Sequence, residues 1–173
     1  DLFVNHNVIL TPIPSSADWA VQKLIQLWHA AKAEVICMDV EKHDEVLAHT
    51  SHLPHLMAFN LVGQLVNRQD NLDIFRYAAG GFRDFSRIAA SDPQMWHDIF
   101  FANKKAILNA LDGFEAQLQT LKKLIQDEDS HALMGLLGNA QAARQHFNHM
   151  LAKKPLMEKN KVTQQFTIQP GVK

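Results

Sequence analysis

Ser51-His52-Leu53-Pro54-His55-Leu56-Met57-Ala58-Phe59 opens the stretch, Thr50–Asp98, on which the reading of this chain turns. The stretch continues through Tyr77-Ala78-Ala79-Gly80-Gly81-Phe82-Arg83-Asp84-Phe85-Ser86-Arg87 and closes with Ser91-Asp92-Pro93-Gln94-Met95-Trp96-His97-Asp98. Leu53, Leu56, Met57, Leu61 and Leu65 mark one helical face, and Phe59, Val62 and Val66 mark another. A helix apolar nearly all round belongs at the centre of its domain. Yet this one carries two histidines three positions apart, which places them on one side. A double glycine followed at once by Arg, Asp and Arg is equally foreign to a plain helical core. Imidazoles, a carboxylate and guanidinium groups in an apolar setting point to a site for a small anionic molecule.

Working outward, the flanking segments set the fold class. Before residue 39, Val8-Ile9-Leu10-Thr11 reads as a strand ended by Pro12 and Pro14. A helix follows, capped by Ser15, Ser16 or Asp18 and faced by Trp19, Val21, Leu24, Ile25, Leu27 and Trp28. Glu34-Val35-Ile36-Cys37-Met38 reads as a second strand. Two strands cannot bury both faces of a parallel sheet, so residues 1–38 read as the trailing end of a larger α/β domain. From residue 39 to 153 only helices are expected. Asp39 caps one to about His49, and Ser51 caps the next to about Asn67, with Pro54 in its first turn. Leu72–Tyr77 reads as a short helix stopped by Gly80-Gly81, and Phe82–Ile88 as another. Either Ser91 with Gln94, or Asp92 with Pro93, starts the following helix. A long helix over Lys104–Gln126 carries Ile107, Leu111, Phe114, Leu118, Leu121 and Ile125 at a coiled-coil spacing. After a break at Asp127–Ser130, a last helix over about His131–Ala152 carries Leu133, Leu137, Ala140, Phe147 and Leu151. Such seams predict a symmetric dimer, unless the two long helices pack on each other. Residues 154–173 read as a linker toward a further domain, because Val162–Gly171 alternates like a strand. The fold class is therefore mainly α, a helical domain preceded by a strand–helix–strand remnant of a nucleotide-binding domain.

Composition narrows the function. Of 173 residues, 47% are hydrophobic and 20% charged, as in a globular protein. The formal net charge of -1 offers no electrostatic case for nucleic acid or an anionic membrane surface. No apolar run is long enough to span a bilayer, and no signal peptide is visible. The single Cys37 excludes an internal disulfide and fits a reducing compartment. His43, His49, His52 and His55 invite a metal reading, but no HExxH or cysteine-pair spacing accompanies them, and no metal is expected. At Gly80-Gly81 positive φ and close approach of backbone to a ligand are permitted. Asp84 and Arg87 stand three apart. They form either a weak surface ion pair or a pair in which Asp84 holds a guanidinium and Arg87 grips a carboxylate.

At these residues the sequence resembles the prephenate dehydrogenases, a family that includes arogenate and cyclohexadienyl dehydrogenases. The matching pieces are His43-Asp44, Ser51-His52-Leu53-Pro54-His55, Gly80–Ala89, Ser91-Asp92-Pro93, Met95-Trp96 and Asp98-Ile99, in the family's order and spacing. The resemblance covers roughly residues 3–152. It implies a cytoplasmic two-part enzyme of tyrosine biosynthesis, in which an N-terminal Rossmann domain binds NAD or NADP and a helical domain dimerises and closes the cleft. The reaction it implies is oxidative decarboxylation of prephenate or arogenate, with tyrosine as a candidate inhibitor. Carried over by position, Arg87 binds the substrate carboxylate. His55, with His52, Ser51 and Trp96, lines the substrate pocket, and Arg83 and Asp84 form a supporting charged network. His97 stands where members often carry Arg. The family's catalytic histidine and glycine-rich loop match nothing in this chain, so no catalytic or cofactor-binding residue is expected in it, and it should be inactive alone. The tail Gln165–Gly171 resembles the opening strand of enolpyruvylshikimate-phosphate synthase, which some bacteria fuse to this enzyme. The competing expectation is a non-catalytic helical dimerisation or regulatory module that binds a small anion such as tyrosine.

Overall fold

The computed structural model describes residues 2–67 and 76–152. The expected helix over Leu72–Tyr77 lies outside these residues except at its end, and the strand-like tail lies outside them altogether. The architecture is mainly α with one small parallel sheet, as the sequence predicts. The chain divides into two compact units, 1–117 and 118–173.

In the first unit, β1 (Asn7–Leu10) and β2 (Glu34–Cys37) pair in parallel, Val8 opposite Val35 and Ile9 opposite Ile36. The crossover between them is α1 (Asp18–Ala30). The cap of α1 differs from expectation. Ala17 occupies the N-cap position without a side-chain bond, and Ser16 Oγ instead accepts from the Ile13 N–H at 3.0 Å. Ser16 thereby closes the turn before the helix, a local use of serine that competes with capping. At the other end Lys32 takes a positive φ of 63°. Its N–H bonds the His29 carbonyl and the Ala33 N–H reaches Trp28, which satisfies the last free carbonyls of α1.

The helical part begins with α2 (Val40–Leu47), which has Asp39 at its N-cap but no side-chain cap bond. Two separately capped helices are expected next, and the structure corrects this. A π-type turn, Ala48–His52, carries the chain from α2 into α3 (Leu53–Val66) without interruption. Ser51 is therefore no cap. The wider turn shifts the register between the two helices, a device often found beside functional sites. Pro54 sits in the first turn of α3, where its missing N–H costs nothing.

After the undescribed segment, α4 (Gly80–Ser86) leads into a 3₁₀ turn, Arg87–Ala90. The helix expected from Phe82 begins two residues earlier, at Gly80, and neither glycine has positive φ. Next comes α5 (Pro93–Ala102), where Asp92 Oδ1 accepts from the Met95 N–H at 2.8 Å. Asp92 with Pro93 is thus the start signal used. Ser91 Oγ instead donates to the Ile88 carbonyl, and Gln94 to Asp98. The core of this unit is made of Ala48, Ile107 and Ala110, packed against Leu53, Leu56 and Phe100. Two of its three buried members are alanines, so backbones approach closely there. α3 packs against the π turn, α4 and the 3₁₀ turn, which gives it the central place its all-round apolar pattern predicts.

The long helix α6 (Lys104–Gln126) has the predicted bounds. In the second unit Glu128 repeats the device seen after α1. It has a φ of 54°, its N–H bonds Ile125, and the Asp129 N–H reaches Leu124. Asp129 then caps α7 (Ser130–Ala152) by accepting from the Ala132 N–H at 3.0 Å. Leu118, Ile125, Met134, Leu137 and Phe147 of this unit are all exposed.

Candidate functional site

The π turn and the first turn of α3 place Ser51, His52 and His55, while α5 supplies Trp96. These residues come together. The His55 ring stacks on Trp96 with centroids 3.8 Å apart and planes 20° from parallel. His52 meets the same indole edge-on at 6.1 Å, and Phe100 lies one turn further along at 5.5 Å. Aromatic faces in such arrangements hold one another in place beyond simple burial.

The two histidines are wired oppositely. His55 Nδ1 lies 2.8 Å from the Ser51 carbonyl. A carbonyl only accepts, so Nδ1 carries the hydrogen and Nε2 is left for another partner. This is also the observed role of Ser51: its backbone, not its hydroxyl, anchors His55. His52 is buried, 8% exposed, and its Nδ1 lies 3.1 Å from the Asn103 amide nitrogen. Burial lowers its pKa from the ordinary 6.5, helped by the nearby His43 and His55 and opposed by Asp44. His52 is accordingly held neutral. His43 Nδ1 in turn lies 3.0 Å from Asp44 Oδ1.

Trp96 is 6% exposed, and its Nε1 is sealed from solvent without a partner among the described residues. An unmet buried donor is costly, about 1–3 kcal/mol, which marks this indole as held by its neighbours. His97 points elsewhere. It bonds Asp98 at 2.9 Å, which holds that carboxyl below its usual range, and it lies against Phe101.

The second group of predicted residues is built differently. Arg83, Asp84 and Arg87 are exposed on α4 and the turn after it, and no hydrogen bond or ion pair joins their side chains to any described residue. The Asp84–Arg87 ion pair is therefore not made, and among the described residues Asp84 holds no guanidinium. Gly80 and Gly81 have nothing within 4 Å of where a Cβ would stand. Their freedom lies in open space beside the backbone and not in an unusual φ. Since α4 and the 3₁₀ turn pack on α3, the guanidinium-bearing segment and the histidine-bearing helix are neighbours.

Asn103, between α5 and α6, was missed by sequence reasoning. The usable signal was a lone amide flanked by Phe100, Phe101 and Ile107 at a helix break. Among the described residues no group of three or more His, Cys, Asp or Glu could hold a metal ion, and no helix is long and apolar enough to cross a membrane. A dinucleotide does not fit the residues present. The β1–α1 connection, Thr11–Ala17, has two prolines and no glycine, so it lacks the backbone cradle that a pyrophosphate requires.

Fold and site together define a helical domain with an imidazole–indole cluster and a neighbouring arginine-bearing segment, preceded in the chain by a βαβ unit. Comparison with known proteins agrees. Residues 39–139 match the family described as "Prephenate dehydrogenase, dimerization domain", and the chain belongs to the prephenate dehydrogenase family. It is 39% identical over 146 residues to a cyclohexadienyl dehydrogenase of Zymomonas mobilis, covering 83% of this chain and 50% of that protein. A prephenate dehydrogenase of Bacillus subtilis is 39% identical over 134 residues, covering 76% and 36%. The crystal structure of prephenate dehydrogenase from Aquifex aeolicus, in complex with hydroxyphenyl propionate and NAD+, superposes with a TM-score of 0.76 at 39% identity, covering 82% of this chain and 50% of that one. The chain thus spans half or less of the length of these relatives.

Proposed function

We propose that this chain is the substrate-site and dimerisation part of a prephenate or arogenate dehydrogenase. In this reading the complete protein performs oxidative decarboxylation with NAD or NADP. Residues 1–38 end its nucleotide-binding domain, 39–153 form the helical domain, and 154–173 lead onward. The observation that carries the reading is the His52–Trp96–His55 cluster beside the Arg87 segment, inside the region matched by the family.

The chemistry is consistent with a dianionic substrate. Arg87, exposed and without a side-chain partner among the described residues, can grip a carboxylate in two-pronged fashion. His55 and His52 present ring nitrogens, and Trp96 supplies an apolar wall. Arg83 and Asp84 tune the charge at the opening. The apolar hollows over Leu118, Leu121 and Ile125 and over Trp19, Leu24 and Leu27 include none of these residues. The substrate site is accordingly one wall of a cleft whose other wall, with cofactor and catalytic histidine, lies in a nucleotide-binding domain. When bound there, the dinucleotide supplies the hydride acceptor, and this chain binds and orients the substrate. The exposed seams of α6 and α7 serve a homodimer in the cytoplasm. Tyrosine, whose α-carboxylate corresponds to the carboxylate on the three-carbon substituent of the substrate's ring, is a candidate inhibitor.

Calorimetry and a nicotinamide absorbance assay test the reading. The chain alone is expected to give no heat with NAD and no prephenate-dependent NADH. The complete coding sequence should give both. Turnover by the chain alone, or a complete protein that binds tyrosine yet oxidises neither prephenate nor arogenate, would overturn it.

A further inference from the structure

Asn103 is a buried amide, 8% exposed, at the break between α5 and α6, with φ −104° and ψ 30°. Its Nδ2 donates to the Asp44 carbonyl at 2.8 Å and lies 3.1 Å from His52 Nδ1. The orientation of the amide follows from chemistry. Turned over, its oxygen would face the lone pairs of the Asp44 carbonyl, and that contact would be lost. One amide nitrogen has two hydrogens, and here each meets an acceptor. His52 Nδ1 is therefore the accepting nitrogen and carries no hydrogen, so the neutral ring keeps its hydrogen on Nε2.

That second nitrogen has no partner among the described residues. It is also not sealed, since Trp96 Nε1 is the sealed, unpartnered side-chain nitrogen among the described residues. Nε2 of His52 is thus a directed N–H donor, while Nε2 of His55, whose Nδ1 is tied to Ser51, is an acceptor. The titratable groups around His52 are His43 and Asp44 on α2 and His55 on α3. Asn103 and Trp96, which complete its surroundings, carry no charge.

We propose that Asn103 is a positioning residue: its amide fixes His52 as the Nε2–H tautomer, so that His52 meets an oxygen of the bound ligand as a neutral donor. The tautomer half stands on geometry alone. The ligand half rests on the proposed dehydrogenase reading. In the same interaction Asn103 ties the C-terminal turn of α2 to the start of α6, so one side chain sets both the helix junction and the donor pattern of the site.

Nitrogen-15 spectra of the histidine side chains of this chain decide the first half. In the wild type, His52 should show an unprotonated Nδ1 and a protonated Nε2 at neutral pH. Asn103→Asp, nearly the same shape, presents an acceptor instead of a donor. It should move the hydrogen of His52 to Nδ1 or leave the ring charged, with the His55 signals unchanged. A wild-type His52 that carries hydrogen on Nδ1, or an Asn103→Asp spectrum identical to wild type, would overturn the proposal without need of any other variant. In the complete enzyme, Asn103→Asp should lower kcat/KM for prephenate by about 10-fold or more, the worth of one directed hydrogen bond. Unchanged kcat/KM alongside a switched tautomer would overturn the ligand half. A wild-type complete protein without turnover would count against the dehydrogenase reading, while the spectra would still decide the role of Asn103.

Discussion

The two sides of the candidate site carry similar chemistry on opposite kinds of support. On the side of the π turn and α5, His52, His55 and Trp96 are held by backbone carbonyls, a buried amide and ring stacking. On the side of α4, Arg83, Asp84 and Arg87 stand exposed, with no side-chain hydrogen bond or ion pair to any described residue. The first side is organised before any ligand arrives. The second has no such side-chain support among the described residues. A short, flat ring can be both buried and polar if its nitrogens are paired, whereas a long guanidinium is most useful where water can be exchanged for a carboxylate. Substitutions on the two sides should therefore fail in different ways.

The largest effect is expected at Trp96. Replacing it with Ala removes the ring that both histidines and Phe100 contact, and should destabilise the fold by about 3–5 kcal/mol. A thermal melt within a degree of wild type would show that the organised side is not organised by this indole. On the open side, Arg87→Ala should leave the melt nearly unchanged, since surface changes cost within about 0.5 kcal/mol. It should nevertheless lower kcat/KM of the complete enzyme by about 30- to 1000-fold, with lysine rescuing only partly. Wild-type kinetics in Arg87→Ala would remove that residue from the site.

A further contrast runs along α6. Its seam begins buried at Ile107 and ends open at Leu118 and Ile125, 51% and 63% exposed. Leu118→Lys should shift the protein toward monomer in light scattering while the helical circular dichroism of the chain persists. A dimer of unchanged stability would place the interface elsewhere.

The smallest effect concerns pH. The folded-state pKa of His52 lies below 6.5, so the unfolded chain binds more protons as pH drops below that value. Stability is thus fully present above about pH 6.5 and declines as pH falls toward the folded value. His52→Gln should flatten that acid limb. An acid limb of the same slope in the variant would mean that other groups cause it.

Much of this was legible in the residues. Asp92-Pro93 announced α5, since a short acceptor followed by a fixed φ leaves few alternatives. The bounds of α6 followed from its spacing of three and four, and the βαβ unit from two apolar runs around an amphipathic helix. Ser51 misled because a serine before an apolar run reads as a cap. A π turn has no such signature, since it is imposed by the packing of Ala48 against Ile107 and Ala110. The start of α4 was placed at Phe82 and lies at Gly80, because glycine is compatible with both ends of a helix.

Sequence alone determined the mainly helical class, the family and the residue types at the site, because periodicity, caps and a spaced motif are local properties. It could not determine which ring nitrogen of His52 or His55 bears hydrogen, or that Arg87 stands free of Asp84. Those depend on Asn103, 51 residues from His52, and on a turn whose width is set by the core. Only tertiary structure brings such partners within hydrogen-bonding distance, and a proton goes where its partner's lone pair is.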